Sequence, residues 1–425
     1  MVVIKGIIVI GLLILIHELG HFIAARIFGV RVLQFAIGFG PKLVCKTIGE
    51  TQYVIRALPI GGYVQMLGEN EEGGETDPDS FDSKSIFARF VITAAGPAIN
   101  ILFAVMILPV AYFVGVSVPA YQEDVVRVGY VHSDSEARRV GLLPGALLTS
   151  INGQDITKWN EANRFISKLD GRSSVEVVGS LRGVVFSEMM NFSPLAGLRG
   201  MGIEPTNPVV VESIIQGTSA DVSDLKIGDL ILAVEEEPVL SFLQCQERLQ
   251  ECAGRGCSVN VLRHNETLAV TINPVLSSGI IDVGFNPKNQ VVVKKYSALQ
   301  AVDIAVIRLK ELTVISGSLL ARLFDGAVSG SEVGGPITAI KSAGVMTGYG
   351  IGTSLSMIAF FSLQIGFFNL LPVPALDGGT LAMLSVEAVF RRPLPKKFTV
   401  AFQLVGLALM LVLMLCSVFF DLFFK

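Results

Sequence analysis

Three residues near the N-terminus, His17, Glu18 and His21, have the types and the spacing of a hydrolytic metal site. In a helix, positions i and i+4 lie on one face, one turn apart, so two imidazoles can bind one metal ion. A catalytic zinc takes three protein ligands and keeps a fourth position for water, from which Glu18 can take a proton. The pattern predicts metal-assisted hydrolysis. The alternative is a helix end with satisfied polar groups just outside a membrane.

These residues lie inside an apolar stretch from about residue 2 to 24. A helix needs about 20 apolar residues to span a bilayer, and ionisable residues inside such a span mark function. Lys5 before the apolar run from Gly6 to Ile16 could instead begin a secretory signal peptide. We disfavour that alternative because the motif follows without a break and no small-x-small cleavage site precedes it.

The composition predicts a membrane protein, since 51% of the 425 residues are hydrophobic and 16% are charged, whereas soluble domains are about a quarter charged. Further apolar stretches at about 91–116, 351–373 and 398–420 are candidate spans. Basic residues are frequent after the first span and in the short link before the last span. By the positive-inside rule both of these segments face the cytoplasm, so residues 119–350 lie outside. The net charge of −4, without long basic runs, gives no indication of nucleic-acid binding.

The predicted topology favours Asp377 as the third metal ligand. The first and third spans run in the same direction, so groups near their C-terminal ends lie at the same depth. His132 and His264 fall in the external region on the opposite face, and Asp421, which follows the last span, also lies on that far side. Glu387 remains an alternative ligand, and the Asp-Gly pair at Asp377 could simply form a turn.

The residues around Asp377 predict a pocket. Pro372 and Pro374 prevent a regular helix just before it, and a membrane interior tolerates the freed backbone groups only where they are buried or line a cavity. Asn369, at the edge of this break, could donate to the scissile carbonyl or its oxyanion, or could only join two helices. The small residues of segment 94–100 predict close helix packing next to the site.

Two other segments complete the predicted membrane part. Residues 30–67 have the pattern of short strands broken by glycines, which form either a plain cytoplasmic hairpin or an open edge that pairs with an extended substrate. An acidic loop follows at 69–82. Charged residues interrupt an apolar helix at about 298–325, so we expect this helix to lie on the membrane surface. If it spanned instead, the topology argument for Asp377 would fail.

The external region contains an internal repeat, in which residues 141–156 align with residues 224–239. An aromatic residue, a helical stretch and alternating apolar strands follow each copy. The two predicted modules resemble bacterial PDZ domains. They depart from the PDZ pattern at Ala146, where it has Asp, and at Glu236, where it has Gly. A disulfide between Cys257 and another external cysteine is possible, and no cysteine spacing indicates a metal site.

Taken together, the motifs closely resemble the bacterial site-2 protease family of the RseP type along the whole chain. The segments that carry the resemblance are His17-Glu18-Leu19-Gly20-His21, Gly38-Phe39-Gly40, Gly96-Pro97-Ala98-Ile99-Asn100, the tandem PDZ-like modules and Leu376-Asp377-Gly378. The resemblance implies that one Zn2+ per chain is bound by His17, His21 and Asp377, and that Glu18 activates water. The substrate-binding residues that it implies are Asn369, Gly38, Phe39 and Gly40.

The resemblance also implies regulated intramembrane proteolysis in the bacterial inner membrane. The expected substrates are single-span membrane proteins, such as anti-sigma factors trimmed by an upstream protease, and remnant signal peptides. The PDZ modules would lie in the periplasm, where they would contact the substrate or the upstream protease, and the active site would lie towards the cytoplasm. Two alternatives are a catalytically inactive PDZ scaffold or chaperone, which predicts a damaged metal motif, and a metal transporter, which needs several ligands along a path.

The predicted fold is thus a polytopic α-helical membrane protein with four transmembrane helices, a membrane-associated β element and two inserted periplasmic PDZ-like α+β domains. The predicted segments are 1–29 (first transmembrane helix), 30–90 (β element and cytoplasmic loop), 91–118 (second transmembrane helix), 119–206 and 207–290 (PDZ-like domains), 291–350 (amphipathic helix and linker), 351–390 (third transmembrane helix) and 391–425 (basic link and fourth transmembrane helix).

Overall fold

The computed structural model describes residues 2–69, 77–169, 174–192, 194–277, 280–324, 336–346, 348–392 and 394–423. Parts of the predicted acidic loop (70–76) and linker (325–335) fall outside them. The chain divides into a helical unit, Met1–Ser117 with Val293–Lys425, and an inserted unit, Val118–Val292. Ten α-helices lie in the described residues: α1 Val2–Ile27, α2 Ile86–Val114, α3 Glu136–Arg139, α4 Trp159–Ile166, α5 Phe242–Glu251, α6 Ala298–Phe324, α7 Pro336–Met346, α8 Ile351–Asn369, α9 Asp377–Phe390 and α10 Lys396–Phe423.

Four helices of the described part are long and apolar enough to cross a membrane, as the sequence predicted. They are Val2–Ile27, Ile86–Val114, Ile351–Asn369 and Phe398–Phe419. The second begins at an N-cap, where the Ser85 hydroxyl accepts a hydrogen bond from the Ala88 amide at 3.2 Å, which satisfies one of the free donors of the first turn.

The predicted β element consists of two long strands, β1 Val32–Ile48 and β2 Thr51–Met66. The chain bends at Gly38 and Gly40, where φ is 85° and 86°, a conformation that glycine adopts without steric cost. As a result β1 has β2 on both sides, and Ala36 lies opposite both Val54 and Tyr63. Residues 61–66 form one outer edge of this sheet, with no further strand of the described chain paired to them.

Helix α6 packs inside the helical unit. It contacts α2, and the buried Ser316 hydroxyl accepts a hydrogen bond from the Gln364 side chain of α8 at 2.7 Å. Arg308 and Glu311 form an exposed ion pair on the same helix. The helix is not among the four candidate spans of the described part, so its expected place on the membrane surface stays a prediction.

The inserted unit contains two modules that share a core order of elements: two strands, a short strand, a helix, a pair of antiparallel strands and a closing strand. Two strands that pair with each other, β3 Val116–Pro119 and β18 Val291–Lys294, lie at its ends. The first module contains β4 Val128–Val131, β5 Leu147–Ile151, β6 Gln154–Asp155, β7 Ser174–Leu181, β8 Val184–Asn191 and β9 Ile203–Pro205. The second contains β10 Val209–Ile214, β11 Leu230–Val234, β12 Glu237–Pro238, β13 Cys257–Arg263, β14 Glu266–Ile272, β15 Val275–Ser277, β16 Ile280–Asp282 and β17 Phe285–Pro287. Helix α3 in the first module and the pair β15 and β16 in the second have no counterpart in the described part of the other.

Each module has its own hydrophobic core. The fully buried Trp159 of α4 belongs to the first core, and Phe285 of β17 belongs to the second. A disulfide joins Cys252 to Cys257 in the second module, whereas Cys245 is buried and free. The disulfide resolves which cysteine pairs with Cys257.

Candidate active site

Helix α1 places His17 and His21 one turn apart. Both polar side chains are buried, within a helix that is otherwise strongly apolar. Their ring centroids are 4.9 Å apart and their Nε2 atoms face each other at 3.2 Å. Two ring nitrogens that point at one spot inside an apolar helix bundle are the arrangement that the i, i+4 spacing predicted.

Asp377 is the first residue of α9, and its carboxylate completes a cluster with the two histidines. The Oδ2 atom lies 3.0 Å from His17 Nε2 and 3.5 Å from His21 Nε2. Helix α8 ends at Asn369, and the residues that follow, 370–376, are not helical. Within them Ala375 has a φ of 71°, a left-handed conformation that costs a residue with a side chain on the order of 1 kcal/mol. The predicted break before Asp377 is therefore present, and it brings the carboxylate to the histidines.

The three atoms fit a tetrahedral metal ion. Zinc bonds of roughly 2.0–2.1 Å place neighbouring ligand atoms about 3.3 Å apart, and the observed separations are 3.0, 3.2 and 3.5 Å. Asp377 Oδ2 is buried, and among the described residues it has no hydrogen-bond partner apart from its contacts with the two imidazole nitrogens. A second cluster of possible ligands in the described part, Glu235 with Cys252 and Cys257, contains both disulfide sulfurs. The histidine and aspartate cluster is thus the candidate metal site.

The outer ring nitrogens of the two histidines face helix α2. His21 Nδ1 lies 2.9 Å from the main-chain carbonyl oxygen of Ile92, and His17 Nδ1 lies 3.2 Å from the Asn100 amide group. The helices can approach because Gly96 faces His21, and a Cβ there would lie 2.2 Å from His21 Nε2. The predicted close packing of segment 94–100 is present, but the contact of Asn100 with a candidate ligand was missed. A buried amide in an apolar span was the available signal.

Glu18 is half-buried between the histidines and the edge of the β element. A Cβ on Gly62 of β2 would lie 3.4 Å from the Glu18 Cγ atom, and the carboxylate has a hydrogen bond with the Val64 backbone. Both contacts belong to the outer edge at residues 61–66. The acidic side chain thus lies between the candidate metal site and an unpaired strand edge.

The alternative third ligands do not join this cluster. Glu387 belongs to α9, where it pairs with Arg89 of α2 at 2.9 Å and accepts a hydrogen bond from the Leu394 amide. His132 and His264 belong to the inserted unit. Asp421 lies in α10, and its side chain is outside the described part. Among the candidates considered from the sequence, Asp377 alone is brought to the two histidines in the described structure.

Comparison with known proteins decides the family. The model of peptidase family M50 matches residues 5–413. The chain belongs to peptidase family M50. A regulator of sigma-E protease from Escherichia coli, named RseP, is 30% identical over 446 residues, which cover 98% of this chain and 97% of that protein. A regulator of sigma E protease from Haemophilus influenzae is 30% identical over 439 residues, with coverage of 98% and 97%.

A third relative, from Vibrio cholerae, is provisionally named a zinc metalloprotease and is 30% identical over 444 residues, covering 98% of this chain and 97% of that protein. M50 membership confirms the resemblance found in the sequence and the prediction of a metalloendopeptidase of the site-2 protease type.

The predicted substrate-binding residues of this M50 peptidase lie in two places. Asn369 is the half-buried last residue of α8. Phe39 lies between the two bent glycines of β1, with half of its surface exposed, and its ring stacks on Tyr63 at a centroid distance of 6.3 Å. No contact of either with the metal cluster appears in the described structure. Substrate binding by Asn369, Gly38, Phe39 and Gly40 therefore stays a prediction.

Proposed function

We propose that this M50 member is a zinc-dependent intramembrane endopeptidase that cleaves the membrane-spanning segments of single-span proteins. The observation that carries the proposal is the convergence of His17, His21 and Asp377 next to Glu18, in the unit that contains the four helices long and apolar enough to cross a membrane. Hydrolysis inside a membrane requires that the reacting water and the acid–base group are held together where water is scarce. The names of the sigma-E proteases among the relatives support regulated proteolysis.

We assign each polar residue of the site one role. His17, His21 and Asp377 hold one zinc ion per chain. When bound, the metal lowers the pKa of a coordinated water and polarises the scissile carbonyl. Glu18 takes the proton of that water and returns it to the leaving amine, as a positioned general base and acid. Asn369 is assigned to the scissile carbonyl or its oxyanion.

The substrate must be extended during cleavage, because a helix shields its own carbonyl groups. We assign the outer edge at residues 61–66 to pair with the unwound substrate by β-augmentation. Two facts support this assignment: the edge has no strand partner in the described chain, and Gly62 lies against Glu18. A peptide paired there would pass next to the general base. Gly38, Phe39 and Gly40 lie at the bend of the same sheet.

The two modules of the inserted unit are assigned as PDZ-like domains on the periplasmic side of the bacterial inner membrane. The repeat and its element order support the domain type, and the positions of the basic residues support the orientation. Their role would be to contact the external part of the substrate, or an upstream protease. Anti-sigma factors and remnant signal peptides are the expected substrates.

An inactive PDZ scaffold or chaperone is the main alternative function. It does not require the ligand atoms of three residues to converge, or an acidic group beside them. A metal transporter would need further ligands along a path, and the described residues contain no other cluster of three such side chains apart from the one with the disulfide. The completeness of the site therefore favours the protease.

Glu18→Gln tests the proposal. The variant should keep one zinc per chain but cleave a single-span model substrate, trimmed of its external domain, at least about a hundredfold more slowly, because the ligands remain and the base is gone. Glu50→Gln, the same change at an exposed position, should cleave as the wild type does. Cleavage by Glu18→Gln at the wild-type rate would refute the assigned chemistry.

A further inference from the structure

The two candidate metal ligands on α1 have different kinds of partner on their outer nitrogens. His21 Nδ1 faces the Ile92 carbonyl oxygen at 2.9 Å, an acceptor that belongs to the main chain. His17 Nδ1 faces the side chain of Asn100 at 3.2 Å. The backbone of α2 therefore fixes the orientation of His21 whatever residue stands at position 92. The orientation of His17 instead depends on an asparagine side chain at position 100.

The tautomer of a metal-bound His17 defines whether Asn100 must supply a hydrogen-bond donor or an acceptor. Its Nε2 atom points at the cluster, 3.0 Å from Asp377 Oδ2, so binding of a metal through Nε2 places the ring proton on Nδ1. An Nδ1–H donor needs an acceptor. The Asn100 amide nitrogen faces Nδ1, while its Oδ1 atom is buried without a hydrogen bond in the described residues.

A half-turn of the Asn100 amide about its last side-chain bond brings the oxygen to Nδ1. The two ends of an amide have nearly the same shape, so the hydrogen-bond network decides between them. With the amide nitrogen towards His17, the NH2 group faces the Nδ1–H donor and the Asn100 Oδ1 acceptor has no hydrogen bond in the described residues. In the other orientation a donor meets an acceptor, and the amide nitrogen takes the place that the oxygen held. The protonated Nδ1 of a metal-bound His17 favours the second orientation.

The position of Asn100 is fixed by helix α8. Asn100 is fully buried, and its main-chain carbonyl accepts a hydrogen bond from the Ser362 hydroxyl at 2.8 Å. On the next turn of α8, a Cβ on Gly366 would lie only 3.5 Å from the Asn100 Cβ. The Asn100 side chain therefore extends towards His17 from a backbone that two helices hold in place.

We propose that Asn100 is a positioning residue, whose side-chain oxygen accepts the Nδ1–H of His17 and thereby directs the Nε2 lone pair at the metal. The inference rests on the proposed function, because it requires a metal at the His17, His21 and Asp377 cluster. Asn100 touches neither the metal nor the substrate. It acts by fixing the tautomer and the ring orientation of one ligand, and such partners typically contribute 10–100-fold in metal affinity.

Zinc affinity of the full-length protein in detergent, measured by competition with a chelator, tests the proposal. Asn100→Leu removes the acceptor at similar size and should weaken zinc binding about 10–100-fold. Asn100→Asp keeps an acceptor oxygen and should stay within a few-fold of the wild type. Ser362→Ala is the matched control, since it loosens the same helix contact without touching the His17 bond, and its zinc affinity should be unchanged.

A role in packing alone predicts a different pattern. Asn100→Leu and Ser362→Ala would then lower the unfolding temperature while zinc affinity remained at the wild-type value, and Asn100→Asp would have no advantage over Asn100→Leu. Zinc affinity of folded Asn100→Leu within twofold of wild type would overturn the inference but leave the proposed function intact. A wild-type protein that binds no zinc would refute the proposed function itself.

A second measurement needs no substitution and so does not depend on how well a variant folds. In zinc-loaded protein with 15N-labelled histidine, the His17 shifts should show a protonated Nδ1 and a metal-bound Nε2. Cobalt substitution gives a parallel signal, because the absorption bands of Asn100→Leu should shift and those of Asn100→Asp should stay near the wild type. An unprotonated Nδ1 on His17 would overturn the inference.

Discussion

Two carboxylates, one in each unit, are held in opposite ways. Asp229 of the second module is 1% exposed and fully hydrogen-bonded: Arg263 donates to both of its oxygens at 2.7 Å, and the Lys226 amide donates at 2.8 Å. Asp377 has a buried oxygen whose contacts in the described residues are with two histidine nitrogens and not with an arginine or a backbone amide. A carboxylate whose oxygens are all bonded to the protein serves the fold, whereas one with an oxygen left over next to imidazoles is arranged for a cation.

The largest expected effect comes from Asp377→Asn. The amide keeps the size of the side chain but loses the charge that a zinc ligand needs, so zinc affinity should fall by more than the ~100-fold typical of losing a partner behind a ligand. Cleavage should be lost and the unfolding temperature should change little. Zinc content of the purified variant, measured by atomic emission, checks the prediction. A full complement of zinc would show that another residue is the third ligand.

Asp229→Asn should produce the reverse result. It leaves the Arg263 guanidinium, which is 16% exposed, without its charge partner, and breaking a buried pair costs about 3–5 kcal/mol. The partial exposure of Arg263 places the expected loss at the lower end. Hydrogen exchange of residues 118–292 in the full-length protein measures this loss, while zinc content should not change.

A double variant serves as the control for Asp229. Replacing both partners, as Asp229→Leu with Arg263→Met, removes the charges together and should recover most of the lost stability. If Asp229→Asn alone exchanges as slowly as the wild type, the ion pair does not stabilise the module and the contrast with Asp377 fails.

The smallest effect is the dependence of the second module on acid. Burial raises the pKa of Asp229, but the hydrogen bonds from Arg263 and from the Lys226 amide lower it more, so the pKa lies below the ordinary value of 3.8. A carboxyl with a depressed pKa contributes its full stability above its unfolded pKa and loses it as the pH falls through the folded pKa. We expect the second module to become less stable only below about pH 4. In Asp229→Asn this part of the acid dependence should disappear, and an unchanged profile would contradict the assignment.

The sequence predicted the candidate site well where local geometry was sufficient. The i, i+4 spacing of His17 and His21 determines their convergence, and the proline-interrupted segment before Asp377 determines where helix α9 can begin. The choice of Asp377 over Glu387 came from a topology argument, and the partner of Glu387, Arg89, was not foreseen. Arg89 and Glu387 are almost 300 residues apart in the chain, and no local pattern reports a contact of that range.

Other features depended on tertiary packing and were missed. The path of β2 along both sides of β1 depends on the bend at Gly38 and Gly40. From the sequence these glycines indicated only interruptions between short strands, and not a bend within one long strand. The hydrogen bond between Ser316 and Gln364 gives α6 a partner that its charged residues did not suggest. Asn100 was taken as a packing residue because its neighbours are small. A polar side chain flanked by small residues packs closely and can also reach a partner on the next helix.

The absence of a side chain at Gly96 makes the site easy to block. A single methyl group there would intrude to 2.2 Å from His21 Nε2, the atom that faces the cluster. Alanine would thus displace the His21 ring from its position while leaving the donors and acceptors of the site chemically unchanged. A substitution at this position would block the site by size alone. Substrate binding and membrane insertion of the enzyme could then be studied without cleavage.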